Sequence, residues 1–528
     1  MEENRRQYTM GVQTFERIVG EKLVYVDKTD LVWKLAQVSP YVFLSRPRRF
    51  GKSLLTTTLM SYFQGRRDLF EGLKIMELEK EWKDYPVIHI DLSVAKGQDG
   101  PKALGFALKD IISYETKKYN LDIENLTPGQ CLKKLIDEAF TQSDSKVVVL
   151  IDEYDAPLLE VMHEKEEMDA MRRVMQEFYQ PLKASESKIR FCFLTGITRF
   201  SQLSIFSTLN NIADVSLVPD YATICGITER ELTTVLRQDI ETLAAKYKCS
   251  YEDMHAKLKL RYDGYHFSED SEEVYNPYSL VKCFTFKKLD NYWFDSGTPT
   301  FLLNQMKRFG TNISKMDNII VPASAFYSPT ETMTTALPLL YQSGYLTIKD
   351  YDYEGMMYQL HIPNQEVRVG FTEGLLPFVA GLDSAGVQMG FAVKFWKSLR
   401  SGDIDLALRE MKAFLAGVPY VEGFKRKLED VVVKEGFYEY TFYLILSMLN
   451  VYVQTQVRTN DGRIDMTLFM PDTIYIFEFK VHSSAAAALR QIKDNGYAAP
   501  YATDPRRVVL VGVSFDLASW TINEWVVE

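Results

Sequence analysis

The sequence predicts an α/β chain. A doubly wound parallel sheet fills residues 1–225, a mostly helical stretch follows, and a smaller α/β unit closes the chain over 431–528. Three observations carry this prediction. Tyr41-Val-Phe-Leu-Ser45 is an apolar run that feeds a tight basic loop and then a helix opening at Ser53. Lys146-Val-Val-Val-Leu-Ile-Asp152 is a second apolar run, ending in carboxylates. Such runs, separated by helical periodicity, read as parallel strands buried on both faces. Near the C-terminus, strands over 451–458, 463–470 and 474–481 are split by the turns Asn460-Asp-Gly462 and Pro471-Asp-Thr473. A helix over 484–497 and a strand over 507–513 complete that unit.

Composition bounds the function. The 528 residues suffice for about three or four domains. Sixty-one Lys and Arg against 71 Asp and Glu give a net charge of −10, which disfavours bulk nucleic-acid binding and leaves only a local basic patch for it. The five cysteines (131, 192, 225, 249, 283) form no CxxC pair, so reduced thiols in a cytosolic protein are expected instead of disulfides or a zinc site. Residues 1–20 lack an apolar signal core, and no apolar run is long enough to span a bilayer. A cytoplasmic location without membrane contact is the expectation.

Residues 11–38 read as helical with an interruption at Tyr25-Val-Asp-Lys-Thr-Asp30, a segment placed to fold over a ligand. In the loop after the first strand, Gly51-Lys52-Ser53 matches the second half of a phosphate-binding loop. The chemistry asks for these types: backbone N–H groups and a helix N-terminus face an anion, a lysine reaches the β- and γ-phosphates, and the next hydroxyl ligates Mg²⁺. The whole run Arg46-Pro-Arg-Arg-Phe-Gly-Lys-Ser53 is therefore the candidate ATP site, with Ser53 as a magnesium ligand. It departs from the generic pattern. Arg46 stands where a glycine usually begins the loop, and Pro47 removes one N–H from the cradle. The plain alternative is a strand-to-helix turn with incidental basic residues.

Downstream, 54–63 is a buried helix, 86–93 a buried strand, and 101–140 helical. The acids after the 146–152 strand lie at the C-terminal edge of a parallel sheet, where ligands bind. Asp152 is the candidate magnesium ligand, and Glu153 the group that orients or deprotonates the attacking water. An acidic surface turn is the alternative, weakened by the Gly-Lys-Ser upstream. In a strand over 189–198, Thr195 sits at the tip to contact the γ-phosphate or the water, and Arg199 follows to neutralise transition-state charge or to stand as a solvated surface residue. A strand (87–92) between the loop strand and the acidic strand fits the ATPase branch that uses a glutamate after the magnesium aspartate.

These motifs, with Leu150-Ile-Asp-Glu-Tyr-Asp155 and Thr195-Gly-Ile-Thr-Arg-Phe-Ser201, resemble the AAA-ATPase-like proteins of bacteria, often fused to a C-terminal nuclease-like domain. Tyr262-Asp-Gly-Tyr-His-Phe267, Asn276-Pro-Tyr-Ser-Leu280 and Tyr292-Trp-Phe-Asp-Ser-Gly-Thr-Pro-Thr-Phe-Leu302 resemble that family too, so the likeness covers nearly the whole chain. It implies a P-loop ATPase sheet over 1–225. Residues 226–325 read as a helical lid whose helix start at Thr228-Glu-Arg-Glu-Leu232 is capped and whose aromatic cluster is core. Residues 326–384 combine a helix and a hairpin like a winged helix, which binds DNA or packs on other domains, and 385–430 is a helical linker.

In the C-terminal unit, Asp465 lies on the second strand, while Glu478 and Lys480, two apart, share one face of the third. The pattern Asp…Glu-x-Lys between flanking helices resembles the PD-(D/E)xK nuclease superfamily. The resemblance implies that Asp465 and Glu478 hold Mg²⁺ and that Lys480 positions water or neutralises charge. Glu439, the one acid of the apolar helix over 437–449, is a further candidate ligand, and Gln491 and Tyr497 border the site. A bare Glu-x-Lys is otherwise a solvated strand pair. The sequence thus predicts an Mg-ATP-binding protein coupled to a metal-dependent nuclease acting on DNA, with a homo-oligomer or protein partner in view. A nucleotide-dependent switch or scaffold that does not cut is the alternative.

Overall fold

The structure is a computed structural model. It describes residues 7–528 apart from 160, 163, 200–211, 295–301, 303–304, 307, 310–315, 317, 329–332, 372–384, 417–451, 460–461, 482 and 517–520. By its packing the chain falls into two units, one running through Asn364 and the other from Gln365 to Glu528. That break falls inside the stretch expected to be a single winged-helix region.

A strand with no polar side chain before its last residue has to be covered on both faces, and Val147–Asp152 is buried along its whole length. It forms β3 of a parallel sheet with β1 (Tyr41–Ser45), β2 (Val87–Asp91), β4 (Ile189–Gly196) and β5 (Ala213–Asp214). The spatial order is β2-β3-β4-β1-β5. The strand that separates the loop strand from the acidic strand in space is therefore β4, and β2 lies at the sheet edge. On one face the helices Gly100–Lys118, Pro128–Ser143 and Lys165–Ala184 pack Leu108, Leu135 and Met175 against Val147, Val149 and Ile151. On the other, the helix Lys52–Phe63 covers the sheet, with the Phe63 ring stacked on Phe191 at 5.1 Å. Helices on both faces make the sheet doubly wound.

Beyond the sheet, β6 (Ile227–Thr228) pairs with β7 (Val274–Tyr275). Thr228 and Glu231 close a reciprocal capping box, as that spacing predicts. The helices Arg237–Tyr247, Tyr251–Tyr262 and Pro277–Phe286 gather around Ile240, Leu243, Leu258 and Leu280. Tyr265, Phe267, Tyr292 and Trp293 are buried, which makes the aromatic cluster core. A three-stranded antiparallel sheet follows, ordered β8 (Ile319–Val321), β10 (Met357–His361), β9 (Thr347–Asp352), with the helices Ala323–Phe326 and Leu337–Gln342 between β8 and β9. Tyr25–Asp30 is held by its neighbours: Asp27 accepts from Thr29 N–H at 2.9 Å and Lys74 N–H at 2.8 Å, and Lys28 pairs with Glu231 at 2.7 Å.

The second unit holds the helices Ala385–Arg400 and Ile404–Ala416 and a five-stranded sheet: β11 (Tyr452–Thr459), β12 (Gly462–Phe469), β13 (Thr473–Lys480), β14 (Arg507–Asp516) and β15 (Thr521–Val527), in that order. Only β13 and β14 run parallel, as the crossover helix Ala485–Asp494 requires. That helix lies so close on β14 that a Cβ on Gly512 would run into the Ala485 carbonyl and the Leu489 nitrogen. The edge strand β15 is an addition that the sequence did not signal. Its Trp525 indole donates to Asp405 at 2.8 Å.

Candidate functional site

The first site lies at the C-terminal edge of the parallel sheet. Gly51, with φ of 92°, makes the left-handed turn that starts the helix Lys52–Phe63. The helix N-terminus and its backbone donors thus face the strand ends. Lys52 is almost fully buried, and its Nζ lies 3.3 Å from the Pro47 carbonyl oxygen and 3.4 Å from Glu153 Oε1. Ser53 donates to the Asp152 carboxylate, placing a hydroxyl and a carboxylate side by side. These are hard oxygen donors of the kind magnesium takes. Burial pushes the Asp152 carboxyl up to about 6, opposed by the Ser53 hydrogen bond and the Lys52 charge. Glu153 is a non-glycine residue at φ of 50°, and its N–H turns back onto Asp152 Oδ1 at 2.9 Å. Left-handed backbone in a residue of this kind is held only where its surroundings over-determine it.

The basic residues of the loop are otherwise engaged. Arg46 is buried, and its guanidinium donates to the carbonyls of Ser45 (2.8 Å), Ser216 (2.8 Å) and Tyr221 (2.9 Å) while lying 4.3 Å from the Phe267 ring centroid. It ties the end of β1 to the segment after β5, its guanidinium spent on backbone carbonyls. Arg49, at φ of 68°, donates to the carbonyls of Tyr292 and Trp293, both at 2.7 Å, and lies over Tyr278. The Arg48 carbonyl accepts from the Trp293 indole at 3.4 Å. Phe50 is core, edge-on to Tyr265 and Phe267. Pro47 packs against Gly344, where a Cβ would run into the proline ring. Arg46, Arg49 and Phe50 therefore shape the loop, and Lys52 and Ser53 carry its chemistry.

Thr195 is fully buried beside Leu44 in register, and its hydroxyl donates to the Leu44 carbonyl at 2.8 Å. Arg199 turns toward Asp214 (3.2 Å) and the Tyr327 carbonyl (3.0 Å), with Tyr327 beneath its guanidinium. Tyr327 in turn donates to Asp214 at 2.8 Å. Neither the Thr195 hydroxyl nor the Arg199 guanidinium contacts Lys52 or Glu153.

The second site lies on β12 and β13. Their backbone ladder runs from Phe469↔Ile474 to Met466↔Phe477, so facing residues on that register put Asp465, Glu478 and Lys480 on one side of the sheet. Where the ladder stops, the Asp465 carboxylate takes over and accepts from the Phe479 N–H at 2.8 Å. Glu478 is buried, with Oε1 2.9 Å from Lys480 Nζ and Oε2 buried without a hydrogen-bond partner among the described residues. Burial, then the neighbouring Asp465 charge, push the Glu478 carboxyl up to about 7, against the pull of Lys480. A buried carboxylate oxygen with no donor, next to a second carboxylate, fits a divalent cation. Tyr497 is buried away from this chemistry, its hydroxyl accepting from the Arg463 N–H at 3.2 Å. Gln491 sits half-buried on the crossover helix. Glu439 lies outside the described residues.

Comparison with known proteins agrees with this layout. A family model described as a predicted AAA-ATPase matches residues 9–206, and a PD-(D/E)XK nuclease superfamily model matches residues 433–525. An uncharacterized protein in the vnfD 5' region of Azotobacter chroococcum mcd 1 is 30% identical over 530 residues, covering 99% of both chains. The chain belongs to the AAA-ATPase-like family, with a C-terminal PD-(D/E)XK domain. Among solved structures, the ORC2 protein of Aeropyrum pernix matches 64% of this chain and 88% of its own at 12% identity and a TM-score of 0.27. Cdc6p from Pyrobaculum aerophilum matches 88% and 91% at 11% identity and a TM-score of 0.23. Likeness at that level carries no argument, and the sheet order stands on its own observations.

In this AAA-ATPase-like protein the sequence motifs passed over Asp155 and Asp214. Asp155 is fully buried, and its Oδ2 accepts from Thr198 N–H and Thr198 Oγ1, both at 2.6 Å. It stands in the same acidic run as Asp152 and Glu153, so the signal was present. Asp214 had no signal, since its partners Arg199 and Tyr327 are distant in sequence. Among the described residues no helix is long and apolar enough to cross a membrane.

Proposed function

We propose that residues 1–225 bind and hydrolyse Mg-ATP and that the C-terminal domain is a Mg-dependent nuclease acting on DNA, with ATP gating or positioning the cut. The observation that carries this reading is the buried Glu478 Oε2, unpartnered among the described residues, beside Asp465 and Lys480. A solvated strand pair would not leave a carboxylate oxygen dry and unpaired.

In the first domain Lys52 would meet the β- and γ-phosphates, Ser53 and Asp152 would hold magnesium, and Glu153 would orient the attacking water. Bound magnesium supplies charge neutralisation at the phosphates. Thr195 and Arg199 act on the γ-phosphate side only after leaving their present partners. In the second domain Asp465 and Glu478 would hold the cation, and Lys480 stabilises charge or positions water. The lid (226–325), the winged-helix region (326–384) and the linker (385–430) connect the two. The tip of the β9–β10 hairpin carries Asp350, Asp352 and Glu354 against Lys349, which favours packing on protein over contact with a phosphate backbone. A cytoplasmic protein that works as a homo-oligomer or with a protein partner fits this assignment.

The alternative is a nucleotide-dependent switch whose C-terminal domain binds nucleic acid or a partner without cleavage. It is favoured by Arg46, which fixes the loop where a flexible glycine usually stands. The test is nicking of plasmid, single-stranded DNA and RNA by the purified protein, with and without ATP and Mg²⁺, alongside ATP binding and phosphate release. ATP- and Mg-dependent DNA cleavage is expected. ATP binding with no cleavage under any divalent metal moves the assignment to the switch.

A further inference from the structure

Two chain exits meet at the edge of the parallel sheet. The exit of β3 carries Asp152 and Glu153, and the exit of β4 carries Thr195 and then Arg199. Side by side in the sheet, they could still slide or splay beyond the last ladder bond. Tyr154 and Asp155 prevent this. The Tyr154 N–H donates to the Thr195 carbonyl at 3.0 Å, and its hydroxyl donates to the Thr198 carbonyl at 2.9 Å. The Asp155 carboxylate gathers the Ile197 N–H at 3.1 Å and both Thr198 donors at 2.6 Å. Gly196 completes the fit, because a Cβ there would run into the Asp155 carboxylate and the Tyr154 ring. On the far side of the turn, the Arg199 N–H donates to the buried Gln342 side chain at 2.7 Å.

A fully buried carboxylate is costly unless donors surround it, and donors to a charged acceptor are about twice as strong as neutral ones. Among the described residues the Asp155 carboxylate takes its hydrogen bonds from Ile197 and Thr198, which lie between Thr195 and Arg199. We propose that Asp155 is a positioning residue for ATP hydrolysis: through Thr198 it locks the β4 exit to the β3 exit, so that the backbone carrying Thr195 and Arg199 keeps a fixed distance from Asp152 and Glu153 while their side chains turn. The proposal rests on the ATP-hydrolysis reading above. The Asp155 side chain is fully buried and its carboxylate is spent on the β4 exit, so on this proposal it acts on turnover through the loop and leaves affinity to Lys52.

The experiment compares wild type with Asp155→Asn, Thr198→Val and Thr198→Ser in the full chain. Asparagine has one acceptor oxygen, so its amide sets N–H against N–H. Valine keeps the shape of threonine and loses the hydroxyl donor. Mg-ATP affinity by calorimetry is expected to stay within about threefold, while phosphate release falls about tenfold or more in Asp155→Asn and Thr198→Val and recovers in Thr198→Ser. Turnover equal to wild type in both damaged variants overturns the proposal, as does a loss of affinity as large as the loss of turnover. Amide hydrogen exchange at Ile197 and Thr198 supplies a readout independent of hydrolysis. Slow exchange in wild type and fast exchange in the variants supports the lock, and equal rates overturn it. If the wild type releases no phosphate, the hydrolysis reading fails and exchange still decides the lock. If Asp155→Asn does not fold, Thr198→Val carries both measurements.

Discussion

Glu478→Gln should make the protein more stable at pH 8 and less able to hold a divalent cation. In the unfolded chain the Glu478 carboxyl ionises near its ordinary value of 4.5, and in the folded chain near 7, chiefly because it is buried. Between those values the folded state keeps the proton and the unfolded state does not. Stability is therefore lost as pH rises from about 4.5 to about 7, and the loss persists above. The difference corresponds to about 3 kcal/mol at pH 8. The side chain is only 2% exposed, so solvent screening scarcely reduces it. Glutamine keeps the shape, carries no charge, and brings an N–H₂ that loses its attraction to Lys480. A gain of about 2–3 kcal/mol at pH 8 and little at pH 4 is expected, or roughly 4–10 °C in the melting of a unit this size. The assay is chemical and thermal unfolding at pH 4, 6 and 8 with EDTA, repeated with Mg²⁺ or Mn²⁺. The cation should stabilise wild type by mass action and leave Glu478→Gln unmoved. Equal stability of the two proteins at pH 8 without metal refutes the dry carboxylate. Metal stabilisation that survives in the variant refutes its role as ligand.

Three further outcomes follow from the same geometry. Lys52→Ala and Arg46→Ala should fail in opposite ways: the first loses ATP affinity by calorimetry while the fold melts as before, and the second loses about 3 kcal/mol or more of stability by denaturant unfolding, because buried carbonyls of Ser216 and Tyr221 lose their donor. Glu153→Gln keeps the hydrogen-bonding shape but cannot take a proton, so Mg-ATP binding should persist while phosphate release falls by about two orders of magnitude. Lys480→Ala should leave cation binding intact, or tighten it by removing a competing charge, while plasmid nicking falls by about two orders of magnitude; Asp465→Asn should lose metal affinity and nicking together, and neither change should touch ATP hydrolysis.

What the sequence made legible were features whose cause is local. An all-apolar run ending in acids has one home, the middle of a covered parallel sheet, and Val147–Asp152 occupies it. The capping box at Thr228 and the crossover helix after Lys480 are also set by residues within a few positions. The two candidate constellations could be written down from the sequence because each rests on short spacings: Gly51-Lys52-Ser53, Asp152-Glu153, Glu478-x-Lys480. What escaped depends on distant partners. Arg46 reads as a phosphate contact until Ser216 and Tyr221 are seen to take its guanidinium. Arg199 reads as a free cation until Asp214 and Tyr327 appear beside it. The strand between β1 and β3 is β4 and not 87–92, because sheet order is set by crossovers: β4 slips between them although it comes later in the chain, and β2 pairs with β3 at the edge.

The two sites share one electrostatic device run in opposite senses. Each pairs a lysine with a glutamate, and in each pair one member is dry and the other faces out. At the sheet edge of the first domain the dry member is Lys52, 3% exposed, against Glu153 at 23%. In the second domain the dry member is Glu478, 2% exposed, against Lys480 at 22%. A buried charge is retained only while it has a partner, so the buried member dictates which ligand can displace the outer one. Lys52 can trade Glu153 only for another anion, and the trade releases Glu153 toward solvent, where a water-orienting base has to be. Glu478 can trade Lys480 only for another cation, and the trade parts Lys480 from Glu478 beside the cation site, where a phosphodiester would develop negative charge. On the proposed reading each site is thus silent until its own ligand arrives, and the displaced group is the one that the chemistry then needs.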